Sequence, residues 1–336
     1  DGGDAGDEYT YSPPERDLVV SSPVDVTTTL VAAGPLEARV RVSTRLKIPS
    51  GLATGRRSRG RRRVWMPVTT EYILRAGEPF LRADITVINP AEDHRLRAHV
   101  PLPFRTDRSH ADQAFWVQER GLVAEGAGHE HPLPTFPAKR FVDASDGTIG
   151  MAVLLAGTPE FELVDGADIA VTLLRCVGWL SRQDLRYRSG PAGPAFEAPG
   201  AQCEGEYGFS FALYPHTGDW VSGGVAAAAE QFSLPLRAIG VRAHAGRLPL
   251  AGEALHIEPS AVRLSALERR DGAVDLRVYN AAADPVEAVI KIGAPLEAER
   301  AGIVDLVGNP VGDVSLKGDT ISLPMRGGQI VTIRLS

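Results

Sequence analysis

The chain of 336 residues has only two cysteines, Cys176 and Cys203. That number makes neither a disulfide framework nor a metal-ligand pattern, and a reduced, cytosolic pair is the plain reading. No apolar run approaches the roughly 20 residues a membrane span requires. No charged, apolar and small-residue succession resembling a signal peptide opens the chain, and it has no initiating Met. Its first residues, DGGDAGDEY, form a polar segment without an evident beginning, which reads as a fragment. Long helical periods are scarce. So are the local signatures of familiar catalysis: no glycine-rich phosphate loop leads into a helix, and neither a GxSxG elbow nor HExxH occurs. Nucleotide, serine-hydrolase and metalloprotease chemistry therefore lack local support.

What the chain does have is apolar material in short pieces. It is 43% hydrophobic, with 35 Gly and 25 Pro spread along its length. Many short apolar runs bounded by turn residues predict strands, so the class is mostly β, with enough length for two domains. A formal charge of −6 gives no general reason to expect a nucleic acid or an anionic membrane as partner. One local exception is GRRSRGRRR, Gly55 to Arg63, with six arginines in nine residues. Taken alone it is a polyanion-binding composition, which would show as steep salt dependence. It lies between two strand-like runs and has no aromatic to stack a base, so a solvated, mobile hairpin loop is the expectation.

Taken in order, residues 1 to 17 predict a loop that something else must hold. Leu18 to Val26, Thr28 to Ala33, Leu36 to Ile48 and Val64 to Leu74 suit a β-meander. Asp84 to Pro103 alternates cleanly on both sides of Asn89-Pro90-Ala91-Glu92-Asp93, which predicts a β-hairpin. Glu125 to Pro137 and Leu185 to Gly200 are too rich in Gly and Pro for regular structure. Ile169 to Leu180 predicts a buried strand, and Gly224 to Phe232, rich in alanine, a short helix. A boundary near Arg237 separates residues 1–236 from 237–336, where about seven short strands have the spacing of a small β-sandwich.

Candidate chemistry is sparse. His129-Glu130-His131 could share a metal, but no third ligand is evident and an exposed loop is the alternative. His94 and His99 suit structural hydrogen bonds. The 42 acidic residues make carboxylate pairs easy by coincidence, and sequence spacing does not reveal their separation.

Four stretches carry further meaning together: GDEYTYSPP at Gly6 to Pro14, INPAEDHRLRAHVPLP at Ile88 to Pro103, LLRCVGWLSRQDLRYRSGPAGP at Leu173 to Pro194, and PGAQCEGEYGFSFALYPHTGDW at Pro199 to Trp220. In order and approximate spacing they resemble the C-terminal region of bacterial glycoside hydrolase family 38 α-mannosidases. The resemblance implies a large antiparallel β-supersandwich of the galactose-mutarotase-like kind, followed by a small C-terminal β-sandwich. It implies a retaining α-mannosidase whose zinc ligands and aspartate nucleophile lie in an N-terminal catalytic domain that this chain lacks. The implied partners are that domain and α-mannoside glycans. By the same resemblance the loop at Gly6 to Pro14 reaches the mannose site through Tyr9, whose hydroxyl can bond a sugar hydroxyl while its ring packs on the sugar's apolar face. Asp7 could accept from a sugar hydroxyl or stabilise its own turn. Arg120 and Arg188 fall where loops would face the catalytic domain, with a surface salt bridge as the alternative for each. A stand-alone carbohydrate-binding or scaffold module is the competing expectation.

Overall fold

The computed structural model describes residues 1–124, 126, 128–246 and 248–336. Glu125 and Ala127 of the expected loop, and Arg247 of the connector after residue 233, lie outside the described residues. The chain divides into two compact units, residues 1–111 with 119–233 and residues 112–118 with 234–336.

The first unit is built on two antiparallel sheets. One has nine strands, in the order Asp25–Ala33, Glu37–Pro49, Arg63–Arg75, Leu81–Asn89, Gly205–Thr217, Ile149–Ala156, Phe141–Ser145, Arg108–Gln113 and Trp116–Gly121. The other runs Gly2–Gly3, His94–Pro101, Asp168–Cys176, Glu160–Val164 and Thr135–Pro137. Strand alternation decides what fills the space between them. Ile85, Val87, Val153, Leu155 and Phe211 of the larger sheet share one core with Leu96, Val100, Phe161, Ile169 and Val171 of the smaller. Each such side chain, fully buried, contributes about 1.5–3 kcal/mol. The opposite face of the larger sheet is apolar too, at Phe141, Ala152, Leu154 and Ala212. Helix Val225–Ser233 packs against it, starting after Gly224 at φ +66° and bringing Phe232 edge-on to Phe80 at 5.8 Å.

Three expectations change. Asp84 to Pro103 is not a hairpin. Leu81–Asn89 pairs with Arg63–Arg75 and Gly205–Thr217, whereas His94–Pro101 pairs with Gly2–Gly3 and Asp168–Cys176. The chain crosses from one sheet to the other at Asn89–Asp93, where Asn89, Ala91 and Asp93 are buried while Pro90 and Glu92 face solvent. The Asn89 amide donates to the carbonyls of Gln202 and Cys203 at 3.1 and 2.8 Å, and its oxygen accepts from Ala91 N at 3.0 Å. The arginine loop is not a free hairpin tip either. Arg59 is buried and donates to the Asp1 carboxylate at 2.7 Å, Arg56 pairs with Asp93 at 3.0 Å, and Arg57 pairs with Glu15 at 2.7 Å. Like charges repel only until opposite charges are packed among them, and the N-terminal segment and Asp93 supply those. Finally, the strand expected at Leu18 to Val26 begins only at Asp25, and the one expected to reach Leu180 ends at Cys176.

The second unit is a β-sandwich. Its four-stranded sheet runs Leu255–Glu258, Val286–Ile292, Thr320–Met325 and Leu316–Lys317, and its five-stranded sheet Val262–Arg270, Ala273–Asn280, Ile330–Leu335, Ala301–Val304 and Pro310–Asp313. Leu276, Val278 and Ile333 meet Ile290, Ile321 and Met325 in its core. The strands beyond the expected seven are the short edge pieces Pro310–Asp313 and Leu316–Lys317.

Candidate functional site

The N-terminal loop, residues 4 to 14, is tied down by carboxylates acting as turn formers. Asp4 is fully buried, and its carboxylate accepts from Gly6 N at 2.8 Å, Ser12 N at 3.2 Å and Arg175 Nε at 2.8 Å. Burial raises its pKa above the ordinary carboxylate value against the pull of Arg175. Gly6 is required between these contacts, because a Cβ there would stand 2.0 Å from the Thr10 carbonyl oxygen.

Asp7 is the centre of the loop. Its Oδ1 accepts from Tyr9 N at 3.1 Å, Thr10 N at 2.9 Å and Arg188 Nη1 at 3.1 Å. Its Oδ2 accepts from Arg182 N at 2.7 Å and from Arg188 Nη2. Burial alone would raise the Asp7 pKa, but the Arg188 guanidinium and the N–H groups of Arg182 and Thr10 outweigh it and hold the carboxyl below its ordinary range. Arg188 in turn donates to Thr10 Oγ1 at 2.6 Å and to the carbonyls of Arg182 and Gly190 at 3.0 and 3.1 Å. The pair is nearly sealed from solvent, with side-chain exposures of 3% for Arg188 and 0% for Asp7. Both residues therefore spend their hydrogen-bonding groups on holding the loop.

Tyr9 is what the loop displays. It is 56% exposed, and its ring lies against Gly193, where a Cβ would approach the Tyr9 hydroxyl to 3.0 Å. Glu8 N donates to the Trp179 carbonyl at 3.1 Å, and the Arg182 guanidinium stacks 5.2 Å from the Trp179 ring. Tyr11 points inward beneath Arg95, 3.7 Å from its ring centre. Asp7, Tyr9 and Arg188 thus come together in one cluster. Arg120 stands apart from it, on strand Trp116–Gly121, half-buried 5.1 Å from the Phe136 ring with a buried Nε that has no hydrogen-bond partner.

Sequence reasoning missed Asp4, Arg175 and Arg182. The signal was present in the spacing of Arg175, Arg182 and Arg188 along one loop-flanked stretch, but nothing local said which arginine would meet the acidic loop.

Histidine use is structural. His94 lies between Asp1 Oδ1 at 2.7 Å and Asn89 Oδ1 at 2.9 Å, and His99 lies 2.7 Å from Asp168. His129 meets Ser189 Oγ at 3.2 Å, and the His131 ring stacks on Tyr187 at 4.4 Å. Among the described residues no group of three His, Cys, Asp or Glu side chains could hold a metal ion.

The fold occurs in solved proteins. The chain superimposes on an α-mannosidase from Enterococcus faecalis V583 with a TM-score of 0.85, at 23% identity, covering 99% of this chain and 38% of that one. A second structure, of a protein in the glycosyl hydrolase family 38 from Enterococcus faecalis, gives a TM-score of 0.82 at 23% identity, covering 99% and 39%. Among curated sequences, one named "Putative mannosylglycerate hydrolase" from Halalkalibacterium halodurans is 26% identical over 99% of this chain and 37% of its own length. The chain thus spans less than two-fifths of each of these relatives. Residues 1–183, more than half of the chain, match the C-terminal domain of glycosyl hydrolases family 38, and the chain belongs to that family.

Proposed function

We propose that this chain is the non-catalytic C-terminal β-region of a retaining α-mannosidase, which packs on a zinc-dependent catalytic domain and lends that domain's sugar site the side chain of Tyr9. The observation that carries the reading is the contrast within the N-terminal loop. A buried, multiply bonded Asp7–Arg188 pair fixes the backbone, while the aromatic two residues on is left 56% exposed. An exposed tyrosine on a rigid turn offers a sugar both a hydroxyl and an apolar face at little entropic cost. In this reading Asp7 and Arg188 are positioning residues. Arg120, with its unpartnered Nε, is a separate candidate for a sugar oxygen.

Docking is supported by apolar surface. Leu18 and Val19 of the N-terminal segment are exposed, as is Phe196 in the loop against which Tyr9 lies. So are Val26, Leu30 and Leu74 on the outer strands of the larger sheet. Exposed apolar side chains of this kind suit contact with a partner better than contact with water. The zinc would polarise and orient the substrate from the catalytic domain. This chain's part is to hold and present a sugar contact.

The test is substitution of Tyr9→Phe in the longer enzyme. Loss of one neutral hydrogen bond should lower kcat/KM by about fivefold, while ring packing is retained. Unchanged kinetics would remove Tyr9 from the site. Mannose binding by this chain alone, at an affinity that Tyr9→Ala abolishes, would favour the stand-alone sugar-binding module instead.

A further inference from the structure

We propose that the arginine loop forms one wall of a binding cleft for a small oxyanion, a carboxylate or phosphate group. The cleft lies in the first unit and has a volume of about 240 Å³. That is below the roughly 300–1,000 Å³ of sites for drug-sized ligands, and it suits a small anion or the anionic end of a larger molecule. Three stretches far apart in sequence close around it: Ser12 to Glu15, Gly55 to Arg57, and Arg182 to Arg186. They bring four arginines, Arg56, Arg57, Arg182 and Arg186, against two carboxylates, Glu15 and Asp184. Guanidinium groups converging from separate loops are the arrangement that binds carboxylate and phosphate through paired N–H donors.

Three details show that this is a built cleft rather than a charged surface. Ser12 Oγ and Arg56 Nε, both on residues lining it, are buried and have no hydrogen-bond partner. Buried polar atoms are ordinarily satisfied, so an orphan on each of two of these stretches points to a partner that arrives from outside. Arg56 also holds a left-handed backbone, at φ +57°, where a side chain is unfavourable. That conformation is locked by Arg56 N donating to the Ala53 carbonyl at 2.9 Å and by the bridge to Asp93. Finally, the carboxylates present do not close the site. Glu15 and Asp184 are 47% and 67% exposed where they meet Arg57 and Arg182, and such pairs yield readily to a competing anion. Among the described residues Arg186 has no carboxylate within ion-pair distance, and its guanidinium lies 5.4 Å from the Tyr187 ring.

The inference does not depend on the mannoside reading, because anion binding is measured without sugar. Calorimetric titration of the 336-residue chain with inorganic phosphate and, separately, with D-glycerate in a chloride buffer should give saturable one-to-one binding of at least one. Phosphate alone would point to a phosphate ester, and glycerate, with or without phosphate, to a carboxylate. The Arg57→Gln/Arg186→Gln variant, altered at exposed side chains and so expected to keep its melting temperature, should bind about tenfold more weakly or worse. Arg61→Gln/Arg62→Gln, in the same loop but outside the cleft, should bind as the parent does. Absence of saturation with both anions would overturn the proposal. So would equal weakening in the two variants, which would reduce the effect to net charge. Loss of binding in the longer protein would assign the cleft to an acidic side chain of the remainder and overturn the small-anion reading.

Discussion

Asp7 and Arg188 are worth more to the fold than an exposed ion pair because neither has water to fall back on. Removing one partner leaves the other charged, buried and surrounded by groups arranged for the pair. Asp7→Ala or Arg188→Ala should therefore destabilise the first unit by about 3–5 kcal/mol, read as a shift in denaturant midpoint at constant slope. A cost under about 1 kcal/mol, the range of exposed pairs, would contradict the buried-pair account. Because the folded-state pKa of Asp7 is lowered, its contribution is present above the unfolded value near 4 and is lost as pH falls through the lower folded value. His216 titrates in the opposite sense. Burial lowers its pKa, but the Asp143 carboxylate at 2.7 Å, the Thr217 carbonyl and Asp219 outweigh that and raise it. The stabilisation is complete below about pH 6.5 and is lost as pH rises through the folded value. The ring also faces Tyr214, Gly150 and Gly223, none of them charged, and His110 acts on the same Asp143. An NMR titration should place the His216 midpoint above 6.5, and Asp143→Asn should bring it down. A midpoint at or below 6.5 in the parent chain would contradict this.

At the scale of elements, the crossover at Asn89–Asp93 couples the two sheets of the first unit. Asn89→Ala would strand the carbonyls of Gln202 and Cys203 and the Ala91 N–H inside the protein. The expected cost is about 2–4 kcal/mol, measured by chemical denaturation, and a neutral effect would mean that the crossover is held by packing alone. The same element marks how far the sequence could be read. Alternation of Ile85 and Val87 with Asp84 and Thr86 was sufficient to locate the strand, because it reports only which face is buried. It carries no information about the partner, so two good strands joined by five turn residues looked like a hairpin although they belong to different sheets. The arginine loop was misread for a related reason. Composition reports that like charges repel, whereas the neutralising Asp1, Glu15 and Asp93 arrive from other parts of the chain. At the site, Tyr9 and Asp7 could be singled out in the sequence, but the division of labour between them rests on the N–H groups and the guanidinium that converge on Asp7, all long-range except its own turn.

This chain has the fold of the family 38 C-terminal region and spans less than two-fifths of each relative compared with it. In the function we propose, the sandwiches provide rigid strands and tied loops, and a catalytic domain would supply the reacting groups. The most direct test is to assay the 336-residue chain and the longer enzyme side by side for zinc-dependent release of α-mannose from an aryl α-mannoside. The account predicts release by the longer enzyme and none above background by this chain. Zinc-dependent hydrolysis by the chain alone would contradict it.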